Sequence, residues 1–239
     1  MYLRSHDGSA IFFRCIGNGF PILFLHGNNL SSDYFQNQLE LAKQYKLIFI
    51  DSRAQGKSDL VTSSISFEKL TEDVNQVLEH LSINSCLIVG HSDGANLAIS
   101  FCQKYPNKVK GLILNSGNVT FNGLRILSRI GILIELFFLR LLSKRSLYFK
   151  SKLLVAKLMK EEIKLDKERL RMLTFPTWVV VGSCDIIKLS HSEEICLLFP
   201  NSRLIKIKSQ GHNVAKEEPL TFNKLIVDMM DLIQRRNQS

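Results

Sequence analysis

Short runs of uninterrupted apolar residues alternate with stretches of helical spacing along most of this chain. Residues 47–50 (LIFI) and 86–89 (CLIV) are apolar at every position, and 109–114, 178–181 (WVVV) and 203–207 read as three further strands. Nearer the start, 10–16 and 21–25 have strand character and are joined by Gly17-Asn18-Gly19; Asn-Gly between two apolar runs predicts a β-hairpin. Helical spacing sets Leu70, Val74, Val77, Leu78 and Leu81 on one face of 67–81. A second helix covers 95–105 and stops before Pro106, a third lies between the last two strands, and 219–235 closes the chain as an amphipathic helix. Strands apolar on both faces need cover on both faces. The pattern therefore predicts an α/β fold with a mostly parallel, doubly wound sheet of about eight strands, the leading hairpin forming an antiparallel edge.

Between residues 117 and 175 the alternation stops. The stretch is helix-forming and rich in Leu, Ile, Lys and Arg. It predicts a helical insertion, so that 1–117 and 175–239 form the core and 118–174 a lid.

Composition changes this picture only locally. A chain of 239 residues that is 45% hydrophobic fits one α/β domain. The net charge of +9 would suggest nucleic acid or anionic membrane, but residues 119–172 hold 13 Lys+Arg against 5 Asp+Glu, which is nearly all of it. Charge confined to one insertion, with no recognised nucleic-acid module, argues against a nucleic-acid partner. A membrane surface remains a partner through the basic insertion. The five cysteines (Cys15, Cys86, Cys102, Cys184, Cys196) form no CxxC pair, and their odd number favours reduced thiols and a cytoplasmic setting. No His/Cys group has zinc spacing, so no metal is expected. The opening MYLRSHDGSAIFFRC lacks a long apolar segment, so no secretory signal is expected, and residues 130–142 are too short to span a bilayer.

The chemistry starts at Gly90-His91-Ser92-Asp93-Gly94, a G-x-S-x-G motif set between CLIV and the helix ANLAISFCQKY. Strand, tight turn and helix are the context this motif needs, with small residues flanking a strained serine. A serine hydroxyl needs a base, and the base needs an orienting acid. Asp185 follows the strand WVVV in Gly182-Ser183-Cys184-Asp185, and His212 follows the last strand in Ser209-Gln210-Gly211-His212. Ser92, Asp185 and His212 thus fall at the C-terminal strand edge, where open α/β sheets bind ligands. The plainer roles are a helix cap for Asp185 and a surface loop for His212. His191 is the rival base, but it lies six residues past Asp185 in a helical stretch. Asn115 and Ser116 end a strand where an alternative acid would sit, and neither is acidic. Two backbone N–H donors are expected for the oxyanion, from Asp93 and from the loop after FLHGNN, with Asn28 first.

These segments resemble those of α/β-hydrolases of the lidded bacterial esterase and peptidase group. LHGNN resembles the oxyanion loop, DSRAQGKSD the D-x-R-G-x-G-x-S segment, GHSDG the elbow, GSCD the acid loop and GHNVAKEEP the histidine loop; all five stand in the family's order. The resemblance implies the α/β-hydrolase fold, a cofactor-free hydrolytic mechanism and a cap. Ala54 and Gln55 depart from the usual Gly and His, and Ile186, Ile187, Lys188 and Leu189 stand where a proline is usual after the acid.

The expected reaction is acyl transfer from a small-molecule ester, amide or thioester to Ser92 and then to water. A ligand-binding protein on the same scaffold, and a membrane-surface hydrolase of lipid-like esters, are the other classes. Asp93 has two readings, attraction of a substrate amine or a carboxylate stabilised by the helix dipole. The insertion carries Leu124, Ile126, Leu127, Ile130, Ile132, Leu133, Leu136, Phe137 and Phe138. Its apolar side is expected to cover the crevice, with Asn29, Phe137 and Phe138 touching substrate and the cations facing solvent.

Overall fold

The computed structural model describes residues 1–61 and 63–238. Eight strands form one sheet: β1 (Tyr2–Arg4), β2 (Ala10–Ile16), β3 (Pro21–Leu25), β4 (Lys46–Ile50), β5 (Cys86–His91), β6 (Val109–Asn115), β7 (Thr177–Gly182) and β8 (Ser202–Ile207), in the spatial order β1-β2-β4-β3-β5-β6-β7-β8. Pairing is parallel from β4 through β8, whereas β2 is antiparallel to both β1 and β4.

The predicted hairpin between 10–16 and 21–25 is not formed, because β4 lies between those strands. Both β3 and β4 are apolar at nearly every position, and burial on both faces requires neighbours on both sides. The antiparallel edge is instead the β1–β2 pair, whose three-residue β1 is too short to show in the pattern. Gly17 and Gly19 serve another purpose. Both have positive φ, and a side chain at either would strike the carbonyls of Ala42, Gln44 or Tyr45. The turn is packed against the end of the helical segment Ser32–Lys43, which itself has no clear sequence signal.

Alternate residues of each central strand feed two cores. Leu23, Leu25, Ile48, Ile88 and Leu112 join one, against α1 (Phe67–His80) and α2 (Asp93–Lys104). Phe24, Phe49, Leu87, Val89 and Ile113 join the other, against Ser32–Lys43 and the terminal helix. The sheet is therefore covered on both faces, as expected.

The insertion between β6 and β7 is helical: α3 (Ile126–Leu142), α4 (Leu147–Leu158) and α5 (Lys167–Arg171). Its stem is closed by a 3.0 Å bond from the Ile163 N–H to the Val119 carbonyl. Helices α6 (Leu189–Cys196), α7 (Val214–Glu217) and α8 (Pro219–Gln238) complete the fold. Among the described residues, no helix is long and apolar enough to cross a membrane.

Candidate active site

Ser92 sits between β5 and α2 with φ 53° and ψ −119°, a left-handed conformation that costs energy for any residue with a Cβ. It is held there from both sides. Its N–H donates to the Asn115 carbonyl at 2.8 Å, and its own carbonyl takes the first bonds of α2 from Ala95 and Asn96. Side chains at Gly90 and Gly94 would collide with the Gly94 and Leu25 carbonyls, so both flanking positions must be glycine.

Asp185 and His212 meet at the same sheet edge. His212 Nδ1 lies 2.8 Å from Asp185 Oδ1. The acid also accepts from Ser116 Oγ at 2.6 Å and from the Ile187 N–H at 3.0 Å. Burial alone would raise the Asp185 pKa, but the bonds from His212, Ser116 and Ile187 outweigh it, and the carboxyl is held below its ordinary range. Helix α6 begins at Leu189, so Asp185 is not its cap. The acid loop is instead tied to the base of the insertion: Arg125 N–H donates to the Ile186 carbonyl and Lys188 N–H to the Gly123 carbonyl. That loop uses the N–H groups of Ile187 and Lys188, which proline at either position would remove.

The rival base His191 is elsewhere. It is buried against Gly123, with Nδ1 3.1 Å from Glu194 Oε2, and lines a different cavity. His91 is also buried. It stacks on Tyr34 at 4.2 Å, and burial followed by the nearness of His212 keeps it neutral.

Asn28 joins three elements. Its Nδ2 donates to Asp93 Oδ2 at 2.7 Å and to the Val155 carbonyl of α4 at 2.8 Å. Asp93 opens α2, so its N–H has no helical acceptor one turn back. Its carboxylate accepts further from Asn96. Burial pushes the Asp93 pKa up to about 6, with the two asparagine amides pulling against it.

Ser92, Asp93, Asn28 and His212 line one crevice of about 390 Å³, together with Leu124, Ile132 and Met159 of the insertion. Residues 21–129 match a family described as "alpha/beta hydrolase fold". A thermophilic esterase from Thermogutta terrifontis superposes with a TM-score of 0.82 at 21% identity, covering 98% of both chains. The chain has the α/β-hydrolase fold. Two curated relatives match over shorter segments. The AB hydrolase superfamily protein YisY of Bacillus subtilis (strain 168) is 31% identical over 118 residues, which is 48% of this chain and 44% of that protein. A non-heme haloperoxidase of Rhodococcus erythropolis is 36% identical over 106 residues, 44% of this chain and 39% of its own length. The matched segment thus spans less than half the length of either relative.

Three substrate-contact expectations need correction. Phe137 and Phe138 are 59% and 56% exposed and neither lines the crevice. Helix α3 turns Ser128, Gly131, Ile132 and Glu135 toward Ser92, and at about 100° per residue this sends Phe137 to the far side and leaves Phe138 just outside the edge of the crevice face. Asn29 is also outside the crevice lining. Its Nδ2 donates to Glu135 Oε1 at 3.3 Å and its Oδ1 accepts from Lys152 at 3.1 Å, so it ties the loop to the insertion. Ser116 and Tyr34 were not singled out from sequence for these positions. A serine ending a strand carries no signal until β6 and β7 are known to be neighbours.

Proposed function

We propose that this α/β hydrolase cleaves small carboxylic esters through an acyl-serine intermediate, with residues 1–117 and 175–239 as core and 118–174 as lid. The observation that carries the reading is the 2.8 Å His212–Asp185 bond at the rim of the crevice that Ser92 lines. Ser92 Oγ attacks the substrate carbonyl and passes its proton to His212 Nε2. The N–H groups of Asn28 and Asp93 receive the oxyanion. His212 then protonates the departing alkoxide. Water, deprotonated by His212, attacks the acyl-enzyme and frees the acid and Ser92. Asp185 fixes the imidazole tautomer and stabilises its charged form throughout.

The crevice lining includes the carboxyl groups of Asp93 and Glu135 and, among the described residues, no lysine or arginine. That lining favours neutral acyl groups over acids bearing a second carboxylate. The similarity to a solved esterase supports an ester as substrate.

The test combines a serine-directed fluorophosphonate with a panel of neutral and carboxylated p-nitrophenyl esters. Labelling at Ser92 with turnover of the neutral esters is expected. Labelling without turnover of any ester would leave a ligand-binding role, and labelling elsewhere would overturn the nucleophile.

A further inference from the structure

We propose that the outer face of α3 docks the protein in the plane of an anionic membrane. Seventeen residues long, α3 contains no buried residue. Its crevice face is formed by Ser128, Gly131, Ile132 and Glu135. Beside that face, around the helix, Leu127, Ile130, Ile134, Phe137, Phe138 and Leu141 are between 48% and 79% exposed. At about 100° per residue these six fall within an arc of about 100°. A continuous apolar stripe on water is costly, and stripes of this size mark interaction surfaces.

Charge and shape say what covers it. The apolar stripe runs into a cleft of about 550 Å³ with a floor of Leu133, Leu136, Phe137 and Leu153 and a wall of Arg140, Lys157 and Lys160. Among the described residues, none of these three cations has a carboxylate within ion-pair reach. Arg125, Arg129, Lys144 and Arg145 continue the basic rim on or beside α3, and Glu135 is the one acid in the helix, turned to the crevice side. Cations bordering an exposed Leu/Ile/Phe stripe match a bilayer interface, where phosphates meet acyl chains. A second protein copy would meet the same seven like charges across a two-fold contact, which opposes self-association. Too short to cross a bilayer, α3 would lie in its surface. This docking does not depend on Ser92 chemistry.

The experiment is co-sedimentation of the full chain with vesicles of phosphatidylcholine alone, or with about one third phosphatidylglycerol. Expected is binding to the mixed vesicles that weakens with salt and is near absent on phosphatidylcholine. Since each cation near an anionic surface contributes about a fivefold factor, Arg140→Gln/Lys157→Gln/Lys160→Gln should bind about a hundredfold more weakly. Phe137→Ser/Phe138→Ser should lose binding at low salt, and both variants carry exposed changes that leave the circular dichroism spectrum as it is. Three outcomes overturn the proposal: no binding to mixed vesicles, binding unaffected by both variants, or a dimer that the phenylalanine variant converts to monomer.

Discussion

The Ser116 hydroxyl donates a 2.6 Å hydrogen bond to Asp185 Oδ2, the oxygen that His212 does not use. Ser116 Oγ also lies 3.2 Å from the His212 carbonyl, so one strand-end serine contacts both partners. Removing this donor leaves a buried carboxylate with one fewer bond, a loss of about 1.5–3 kcal/mol for a charged acceptor. Ser116→Ala is expected to raise the Asp185 pKa, shift the acid limb of the kcat/KM profile upward in pH, and lower its plateau by about tenfold. A profile that superimposes on the parent would exclude a positioning role for Ser116.

Ser92→Ala and His212→Ala should each reduce ester hydrolysis by about 10⁴ or more while the fold persists, because the groups act as a unit. His191→Ala should leave kcat within a few-fold of the parent and affect mainly stability, since its ring packs on Gly123 away from the crevice. Steady-state rates on one neutral ester separate these cases. Loss of turnover in His191→Ala with retained turnover in His212→Ala would reverse the assignment.

Asp93 makes stability depend on pH in a specific window. Its carboxyl moves from an ordinary 3.8 to about 6 on folding. Between those values the folded state holds more protons than the unfolded state, so its contribution to stability falls as pH rises and levels off above about 6. The full change is on the order of 2–3 kcal/mol. Asp93→Asn lacks this titration; whatever fixed offset it introduces, the parent should lose Tm relative to it from about pH 4 to pH 6. Thermal unfolding of both proteins across that range is the measurement, and a constant Tm difference would contradict the burial argument.

Arg53 is 3% exposed and makes two bonds to Asp73, at 2.6 and 2.7 Å, with Asp7 on its other side. Asp73→Ala strands a buried guanidinium, and such losses are about 3–5 kcal/mol. Urea unfolding should show this deficit. Neither Arg53 nor Asp73 lines the crevice, so the folded variant should keep its kcat. A deficit below about 1 kcal/mol would mean that Asp7 alone compensates.

The strands that carry the candidate site were legible because parallel central strands are apolar at every position and helices keep a 3.6-residue period. The order of β2, β4 and β3 was not, because Gly17-Asn18-Gly19 looks the same whether it joins ladder partners or, as here, packs on the carbonyls of Ala42, Gln44 and Tyr45. Ser92, Asp185 and His212 could be placed together because each follows a different strand at one sheet edge. Asn28 as a bridge to Val155, and Ser116 as a donor to Asp185, depend on contacts between residues 127 and 69 positions apart. Phe137 and Phe138 were misplaced because apolar content fixes how much surface a helix must cover but not which of its sides meets the core. The side that meets the crevice mixes small and large residues, Ser128 and Gly131 with Ile132 and Glu135, so residue size along α3 does not mark it.

The bond from Ile163 to Val119 bears on how this architecture can change over time. A chain that leaves the core at one residue and returns hydrogen-bonded to it forms a loop whose ends are fixed independently of its contents. Lengthening or replacing what lies between adds only a slowly growing closure entropy. Residues 164–176 are different. They carry the chain from the C-terminal end of β6 back to the start of the parallel β7, with Leu170 and Leu173 buried on the way, and a parallel connection cannot dispense with them. The insertion therefore divides into an exchangeable excursion, α3, which contains no buried residue, and parts the core holds: Gly123 and Arg125 through the acid loop, Val155 through Asn28, and the obligatory return. New substrate preferences could be acquired by swapping the first while the sheet and the geometry around Ser92 stay as they are.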